Sequence, residues 1–314
     1  MRTSSPAPAR AAVIAIGSNS TRLLVANLEE GLRQPLRGRV ETRLFLALDE
    51  RQGFDNLALR GLVEGVQALK AQALAAGASR IDLVATAAVR DSRDEAGLRD
   101  LLRAGTGLEL KVLSGAQEAR YAFLGAAHPY LQAGRLGVID IGGGSTELAL
   151  GQGQALEDSC SLQLGASRLY ASQPINSPQD LKAAQALVAR QLAAQPPWPA
   201  PPPARWLLVG GTGAALLYLS RGSFDVDPHL DHPVSQAQAW RALHQLAALD
   251  ARERTRLPGM MPGREHILPT GLVILVALMD RLGIQEVLVT HRNNCDGYLY
   301  GILLEAHENT GRDP

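Results

Sequence analysis

The sequence contains two copies of one segment, and the two copies align with each other without a gap. Residues 13–23 (VIAIGSNSTRL) align with residues 138–148 (VIDIGGGSTEL), so that Gly142 follows its counterpart Gly17 by 125 residues. Each copy is an apolar run, then a turn of small residues, then a second apolar run, which predicts two strands joined by a tight turn. The spacing is about one domain length and predicts a duplicated domain with a cleft between its halves.

Both turns have the composition of an anion-binding loop. The residues 17–20 and 142–145 are Gly-Ser-Asn-Ser and Gly-Gly-Gly-Ser. Without bulky side chains, backbone amides can point at an anion, and hydroxyl or amide side chains add donors. A single turn of this kind is more often an ordinary glycine hairpin. Two matched copies, together with a third glycine-rich loop at 210–213, favour phosphate binding.

The rest of the chain alternates strand and helix patterns, which predicts mixed α/β layers. Helical patterns cover 57–76, 95–104, 117–125, 178–194, 269–282 and about 297–308. Strand patterns cover 11–16, 81–85, 108–113, 136–141, 206–209 and 286–290. The proline-rich run at 196–203 predicts a stiff surface loop within a domain.

Charge and apolar content exclude several classes of protein. The chain has 31 basic and 31 acidic residues, so a polyanion would have to meet a local basic patch. The apolar stretch Gly271–Met279 is far shorter than the ~20 residues that span a bilayer, and it predicts a buried helix. The 2 widely spaced cysteines indicate neither a disulfide framework nor a zinc site. We expect a cytoplasmic protein without a nucleic-acid or membrane partner.

The two repeats also carry a resemblance to a known family. Residues 138–148 closely match the second phosphate motif of the exopolyphosphatase/guanosine pentaphosphate phosphatase family, and residues 16–24 match its first. Residues 85–90 (ATAAVR) and 113–119 (LSGAQEA) resemble two further family elements, and 210–212 and 257–264 also fit. The resemblance covers nearly the whole chain in order and indicates the sugar kinase/Hsp70/actin superfamily.

The resemblance implies an α/β fold of two ribonuclease-H-like (actin-like ATPase) domains with the active site in an interdomain cleft. We expect the first domain at residues 1–130 and the second at 131–297, with a C-terminal helix of about 298–314 packing back on the first. Relatives are often homodimers, although no sequence feature here fixes the oligomeric state.

The resemblance further implies hydrolysis of a terminal phosphoryl group from inorganic polyphosphate or guanosine pentaphosphate, with Mg²⁺ or Mn²⁺. Glu118 would be the general base and Arg90 a clamp on the phosphoryl group. Asp140 and Glu147 would hold the metal. The residues expected to bind phosphate are Gly17, Ser18, Asn19, Ser20, Arg22, Gly142, Gly143, Gly144, Ser145, Gly211 and Thr212.

Departures from the family pattern leave alternatives open. Ala15 stands where the family has an aspartate, and in the internal repeat it aligns with Asp140. The family's asparagine after its Ala-Thr-x-Ala-x-Arg segment is not evident at 91–94, and its late Asp and Arg are both replaced within 290–297. The chain is therefore expected to be a weakened enzyme or a sensor of polyphosphate or guanosine tetra- or pentaphosphate. A sugar-type kinase is disfavoured, because no sugar-binding acid is recognisable.

One further segment looks like a metal site. Asp225, Asp227, His229, Asp231 and His232 lie within eight residues of one another. Their spacing fits neither a zinc pattern nor a calcium-binding loop, so we favour a polar surface loop.

Overall fold

The computed structural model describes residues 10–28, 32, 35–48, 53–198 and 202–310, except for the side chains of 306–310. The chain divides into two compact units. The first unit contains residues 1–125 and 294–314, and the second contains residues 126–293. Each unit combines a sheet with flanking helices, which confirms the predicted α/β class.

Strands and helices are numbered in chain order. The strands are β1 (Arg10–Ile16), β2 (Ser20–Asn27), β3 (Leu36–Glu41), β4 (Arg80–Ala85), β5 (Leu110–Val112), β6 (Arg135–Ile141), β7 (Thr146–Gln152), β8 (Ala155–Leu162), β9 (Arg205–Val209), β10 (His232–Ser235) and β11 (Glu286–Val289). The α-helices are α1 (Asn56–Ala75), α2 (Ala87–Arg90), α3 (Glu95–Thr106), α4 (Gly115–Ala127), α5 (Ala166–Ser172), α6 (Pro178–Ala193), α7 (Gly210–Arg221), α8 (Gln236–Ala247), α9 (Ala251–Arg254), α10 (Leu268–Leu282) and α11 (Asn294–Thr310).

The two sheets share one topology. The first sheet has the order β3-β2-β1-β4-β5, with β1 antiparallel to β2 and parallel to β4. The second sheet contains the order β8-β7-β6-β9-β11, with β6 antiparallel to β7 and parallel to β9. Strand β10 extends the second sheet at its edge, antiparallel to β11. The hairpins β1–β2 and β6–β7, which hold the repeated segment, therefore occupy equivalent places in the two units.

The sheet of the first unit is buried on both faces, which explains why its first strand is apolar throughout. Alternate residues of β1, such as Ile14, pack on one side with α1 and α3. The intervening residues, such as Val13 and Ala15, pack on the other side with Leu124 of α4 and Leu299 of α11. The last helix of the chain thus completes the core of the first unit.

The core of the second unit is built around α10. Eleven of its residues are buried, and it packs against α5, α6, α7 and α8. This is the helix that the apolar stretch Gly271–Met279 predicted. Within the described part of the chain, no helix is long and apolar enough to cross a membrane.

A fully buried arginine ties together the loops around this core. Arg254 donates to the carbonyl oxygens of Leu246 at 2.9 Å, Glu265 at 3.0 Å and Ile175 at 2.5 Å. Burial lowers the pKa of Arg254 from its usual value. An unpaired buried polar group is costly, and the three carbonyls give each of the three guanidinium nitrogens an acceptor.

Part of the proline-rich run lies outside the described residues, namely 199–201. At the start of the run, the Arg281 guanidinium donates to the carbonyl oxygens of Gln195 at 3.0 Å and Pro196 at 3.4 Å. The beginning of the run is thereby anchored to the C-terminal end of α10.

The packing of α11 yields a stability prediction. A Cβ on Gly297 would overlap the carbonyl oxygen of Tyr121 and lie 2.8 Å from the amide nitrogen of Gly125, both on α4. We expect Gly297→Ala to lower the free energy of unfolding by about 1–3 kcal/mol, because a well-packed contact cannot accept an extra methyl group. Urea denaturation followed by circular dichroism measures this change.

Gly61 in α1 provides the control for this substitution. It is exposed, and a Cβ there would meet nothing within 4 Å. Gly61→Ala should leave stability unchanged or raise it by up to about 1 kcal/mol, since alanine is the better helix former. Equal stability of the two variants would contradict the close packing of α11 on α4.

Candidate active site

The first glycine turn joins β1 to β2 with its amides free to bind. The Gly17 amide donates to the Ser20 carbonyl at 3.1 Å and closes the turn. Among the residues that the structure describes, the amides of Ser18 and Asn19 have no hydrogen-bond acceptor. Successive unpaired amides of this kind form a concave site for an anion.

Two carbonyls of the same turn accept hydrogen bonds from the segment that follows β3. The Asn19 carbonyl accepts from the amides of Thr42 at 3.2 Å and Arg43 at 2.8 Å, and the Ser18 carbonyl accepts from Phe45 at 2.8 Å. Arg43 adopts a left-handed conformation with φ of 46°. Such a backbone is uncommon outside glycine and persists only where its surroundings enforce it. The segment 42–45 therefore fixes the turn through hydrogen bonds to its carbonyls.

The second turn is built by the same principle from different residues. The Gly142 amide donates to the Ser145 carbonyl at 3.0 Å. The Gly143 carbonyl accepts from the amides of Ser167 at 2.8 Å and Arg168 at 2.9 Å, and the Gly144 carbonyl accepts from the Arg168 side chain at 2.7 Å. The amides of Gly143 and Gly144 have no acceptor within the described ranges. In both turns, later residues of the chain donate hydrogen bonds to the carbonyls, while two successive amides have no acceptor among the described residues.

Asp140 and Glu147 face each other across the second hairpin. They are directly opposite in the β6–β7 register, and both are buried. Ser161 on β8 donates to one Glu147 oxygen at 2.7 Å. Like charges placed directly opposite on neighbouring strands are destabilising, and a cation between the two carboxylates removes that repulsion. Mg²⁺ binds through one or two carboxylates and completes its shell with water and phosphate oxygens, so this pair fits such an ion.

The described part of the chain shows no larger metal-binding group around this pair. Within the described residues, no three His, Cys, Asp or Glu side chains come together as a metal-binding group. Asp231 from the segment that resembled a metal site instead accepts a hydrogen bond from Tyr130 at 2.5 Å and pairs with Arg292 at 2.6 Å. Burial and the Asp231 carboxylate raise the pKa of Tyr130 to about 12.

The third glycine loop forms the first turn of α7. Gly210 has φ of +84°, and a Cβ there would lie 2.5 Å from Asp140 Oδ1. A Cβ on Gly211 would overlap the guanidinium of the buried Arg264. Thr212 donates its hydroxyl proton to the Ile141 carbonyl at 3.2 Å. Gly211 therefore makes room for a buried cation, and Thr212 fastens α7 to the end of β6.

In the first unit, the predicted base and clamp lie in direct contact. Glu118, in the first turn of α4, is only 6% exposed. Arg90 at the end of α2 donates from one terminal nitrogen to Glu118 at 3.2 Å and to the Leu113 carbonyl at 2.8 Å. Its other terminal nitrogen is buried and has no partner among the described residues. This arrangement leaves one arginine donor available to an anion beside a carboxylate.

The first hairpin differs in charge from the second. Ala15 lies opposite Arg22, which in turn lies opposite Arg39 on β3. The Arg22 side chain makes no hydrogen bond or ion pair with any described residue. The equivalent row of the second unit is the acidic pair Asp140 and Glu147 followed by Ser161. The row of the first unit thus carries basic side chains and that of the second acidic ones.

Several neighbours of these residues were not predicted as site residues from the sequence. Arg168 and Arg264 stand at the second and third loops, and Glu41 accepts from the Asn19 side chain at 2.9 Å. Each is far along the chain from the turn it contacts. Only the segment 257–264, as part of the family resemblance, pointed to Arg264.

The architecture is the two-domain actin-like fold. The crystal structure of the Ppx/GppA family member from Aquifex aeolicus superposes with a TM-score of 0.78 at 23% identity, over 94% of this chain and 98% of that one. At this identity the likeness shows the fold and confirms the expected fold class.

Sequence comparison identifies the family. A model of the Ppx/GppA phosphatase family matches residues 24–306. The chain is 30% identical over 312 residues to exopolyphosphatase 2 of Mycobacterium tuberculosis, which covers 92% of this chain and 97% of the relative. It is 32% identical over 296 residues to an uncharacterized protein of Streptomyces coelicolor, at 88% and 85% coverage. The protein therefore belongs to the Ppx/GppA phosphatase family, and the resemblance inferred from its motifs is confirmed.

The contact between Gly210 and Asp140 can be tested by substitution. Gly210→Ala combines a left-handed backbone with a methyl group against the Asp140 carboxylate, so we expect a loss of about 1–3 kcal/mol in the free energy of unfolding. Gly134→Ala is the matched control, because Gly134 has φ of +77° and nothing within 4 Å of its Cβ position. Chemical denaturation of both variants isolates the effect of the clash. A Gly210 variant no less stable than the Gly134 variant would contradict the described contact.

Proposed function

We propose that the protein is a metal-dependent exopolyphosphatase that releases terminal orthophosphate from inorganic polyphosphate or guanosine pentaphosphate. The observation that carries this proposal is the pair of matched turns, each with unpaired amides on one side and engaged carbonyls on the other. The name of the Mycobacterium tuberculosis relative, exopolyphosphatase 2, supports the same activity.

Phosphoryl transfer depends chiefly on positioning and on neutralising charge. In this proposal, the amides of both turns bind phosphate oxygens, assisted by the hydroxyls of Ser18, Ser20 and Ser145. Arg22 adds a cation beside the first turn, and its freedom from other partners among the described residues leaves all of its donors available. The second-unit loop residues Gly211 and Thr212 contribute indirectly, through Arg264 and the end of β6.

Glu118 and Arg90 carry the chemical step in this proposal. The ionised Glu118 carboxylate accepts a proton from a water molecule, whose oxygen attacks the terminal phosphorus. The bond between that phosphorus and the bridging oxygen breaks. The bridging oxygen keeps the electron pair and leaves as the new end of the shortened chain, and the cleaved group is released as orthophosphate. The unpartnered nitrogen of Arg90 binds the oxygens of the transferred group, while its other nitrogen holds Glu118 in place.

Asp140 and Glu147 would hold the Mg²⁺ or Mn²⁺ that the family resemblance implies. When bound, such an ion neutralises negative charge on the phosphate oxygens. Ser161 fixes the orientation of the Glu147 carboxylate by its hydrogen bond, and Gly210 leaves the space that the Asp140 carboxylate occupies.

A sensor that binds polyphosphate or guanosine tetra- or pentaphosphate without turnover is the alternative. Ala15 favours it, because the acid found at the equivalent position of the second unit is missing while the adjacent Arg22 is retained. The contact between Arg90 and Glu118 favours an enzyme, since anion binding alone does not require a buried carboxylate. We propose that turnover persists and that Ala15 lowers its rate.

Phosphate release from long-chain polyphosphate, with and without Mg²⁺ or Mn²⁺, tests the proposed activity. We expect metal-dependent release by the wild-type protein and a loss of about 10²–10⁴-fold in Glu118→Gln, the usual contribution of a general base. Binding of polyphosphate should persist in this variant. Tight binding without any release by the wild-type protein would instead establish the sensor.

The effect of the missing acid can be measured separately with Ala15→Asp. A carboxylate at this position can hold a metal-bound water, but it also lies directly opposite Arg22 and can pair with it. We therefore expect a higher kcat together with a higher KM for polyphosphate. Ala15→Asn controls for side-chain size without adding charge. An unchanged kcat in Ala15→Asp would show that Ala15 does not limit turnover.

A further inference from the structure

We propose that Asn19 acts as an oxygen donor to a divalent cation, directly or through a cation-bound water, and that Glu41 fixes its amide in the orientation this requires. The proposal rests on the proposed function, and it replaces the expectation that the Asn19 side chain serves mainly as a donor to phosphate.

The orientation of the Asn19 amide is determined by its contact with Glu41. Asn19 Nδ2 lies 2.9 Å from Glu41 Oε2. Glu41 also forms an ion pair with Arg39 through its other oxygen, and a carboxylate paired with a guanidinium accepts hydrogen bonds. The amide nitrogen must therefore face Glu41, and the amide oxygen must point the other way.

The Asn19 amide oxygen is left as a buried acceptor. The residue is 5% exposed, and among the described residues Oδ1 has no hydrogen-bond partner. A buried polar atom without a partner is destabilising, and its presence in a functional loop indicates a missing ligand. Phosphate oxygens cannot fill this place, because they are acceptors as well. A cation or a cation-bound water can, and amide oxygens are ordinary ligands of hard divalent cations.

The alignment of the two repeats supports this assignment, because each repeat has an oxygen-bearing side chain at a position where the other has none. Asn19 aligns with Gly144, which has no side chain, whereas Ala15 aligns with Asp140. The first hairpin thus has a side-chain amide oxygen in its turn and no acid on its strand, while the second has the acid and no side-chain amide in its turn. The Asn19 oxygen therefore provides a neutral ligand in a hairpin that lacks an acidic one.

Mn²⁺ binding to the substrate-free, full-length protein tests the proposal without depending on catalysis. The signal of free Mn²⁺ in electron paramagnetic resonance gives the affinity directly. In Glu41→Gln, the new amide can donate to Asn19 Oδ1 and turn the Asn19 amide over. We expect Mn²⁺ affinity to fall on the order of tenfold, as is typical when the partner of a metal ligand is removed. Asn19→Leu, which removes the oxygen, should lose at least as much.

A double substitution reverses the hydrogen bond while conserving charge. In the variant that combines Asn19→Asp with Glu41→Gln, the introduced amide donates to the introduced carboxylate, whose other oxygen takes the position of Oδ1. We expect Mn²⁺ binding at least as tight as in the wild-type protein. If Asn19 instead serves phosphate as a donor, this variant should lose polyphosphate affinity, because a carboxylate repels phosphate, and its Mn²⁺ affinity should stay unchanged.

Glu157→Gln is the matched control. Glu157 has a side-chain exposure of 39%, close to the 36% of Glu41, and like Glu41 it forms an ion pair with an arginine of its own sheet, Arg135. Its substitution should leave Mn²⁺ affinity unchanged. Wild-type Mn²⁺ affinity in both Glu41→Gln and Asn19→Leu would overturn the proposal. This outcome differs from failure of the proposed activity, which appears as absent phosphate release in a protein that still binds Mn²⁺.

Discussion

The need to satisfy every buried carbonyl organises both candidate phosphate sites. A tight turn at the end of a buried strand brings its backbone groups out of reach of the sheet, and each group then needs a partner. In both units a later segment of the chain supplies amides to the carbonyls of the turn, residues 42–45 in one and 166–168 in the other. Among the described residues, the two central amides of each turn have no acceptor. Hydrogen bonds to the carbonyls thus hold each turn in the conformation that the proposed anion binding requires.

Equivalent rows of the two sheets carry side chains of opposite charge. The row that crosses the first sheet at Ala15 carries two arginines, whereas the equivalent row of the second sheet carries two acids. The backbone arrangement is common to both, so the difference resides in a few side chains that point from the same register positions. A phosphoryl-transfer protein needs cationic groups for the substrate and carboxylates for a metal. In the proposed function, the basic row of the first unit meets the first requirement and the acidic row of the second unit meets the other.

The sequence predicted the features that depend on local pattern. Apolar runs bounded by small residues identified β1, β6 and β9, and the repeat predicted the equivalent hairpins of the two units. The edge strands β3 and β10 were not predicted, because their residues are polar or partly exposed and show no apolar run. Edge strands commonly have this composition, which protects them from pairing with other chains.

The partners of the site residues were harder to predict for a different reason. Glu41 and Arg264 reach the glycine loops through strand register and loop packing, neither of which is encoded near the loop itself. The sequence indicated Thr212 as a phosphate ligand, whereas its hydroxyl proton is directed to the β6 carbonyl of Ile141. Residue type alone cannot separate these roles, because a threonine hydroxyl both donates and accepts.

The return of α11 to the first unit has a consequence for how the protein is made. One face of the first sheet, including Ala11, Val13 and Leu24, is covered by residues from this last helix. A ribosome delivers those residues only after the entire second unit has been synthesised, and domains generally fold as they emerge. The second unit can therefore complete its core first. Until α11 has been synthesised, the nascent first unit presents an apolar sheet face that only its own later residues cover.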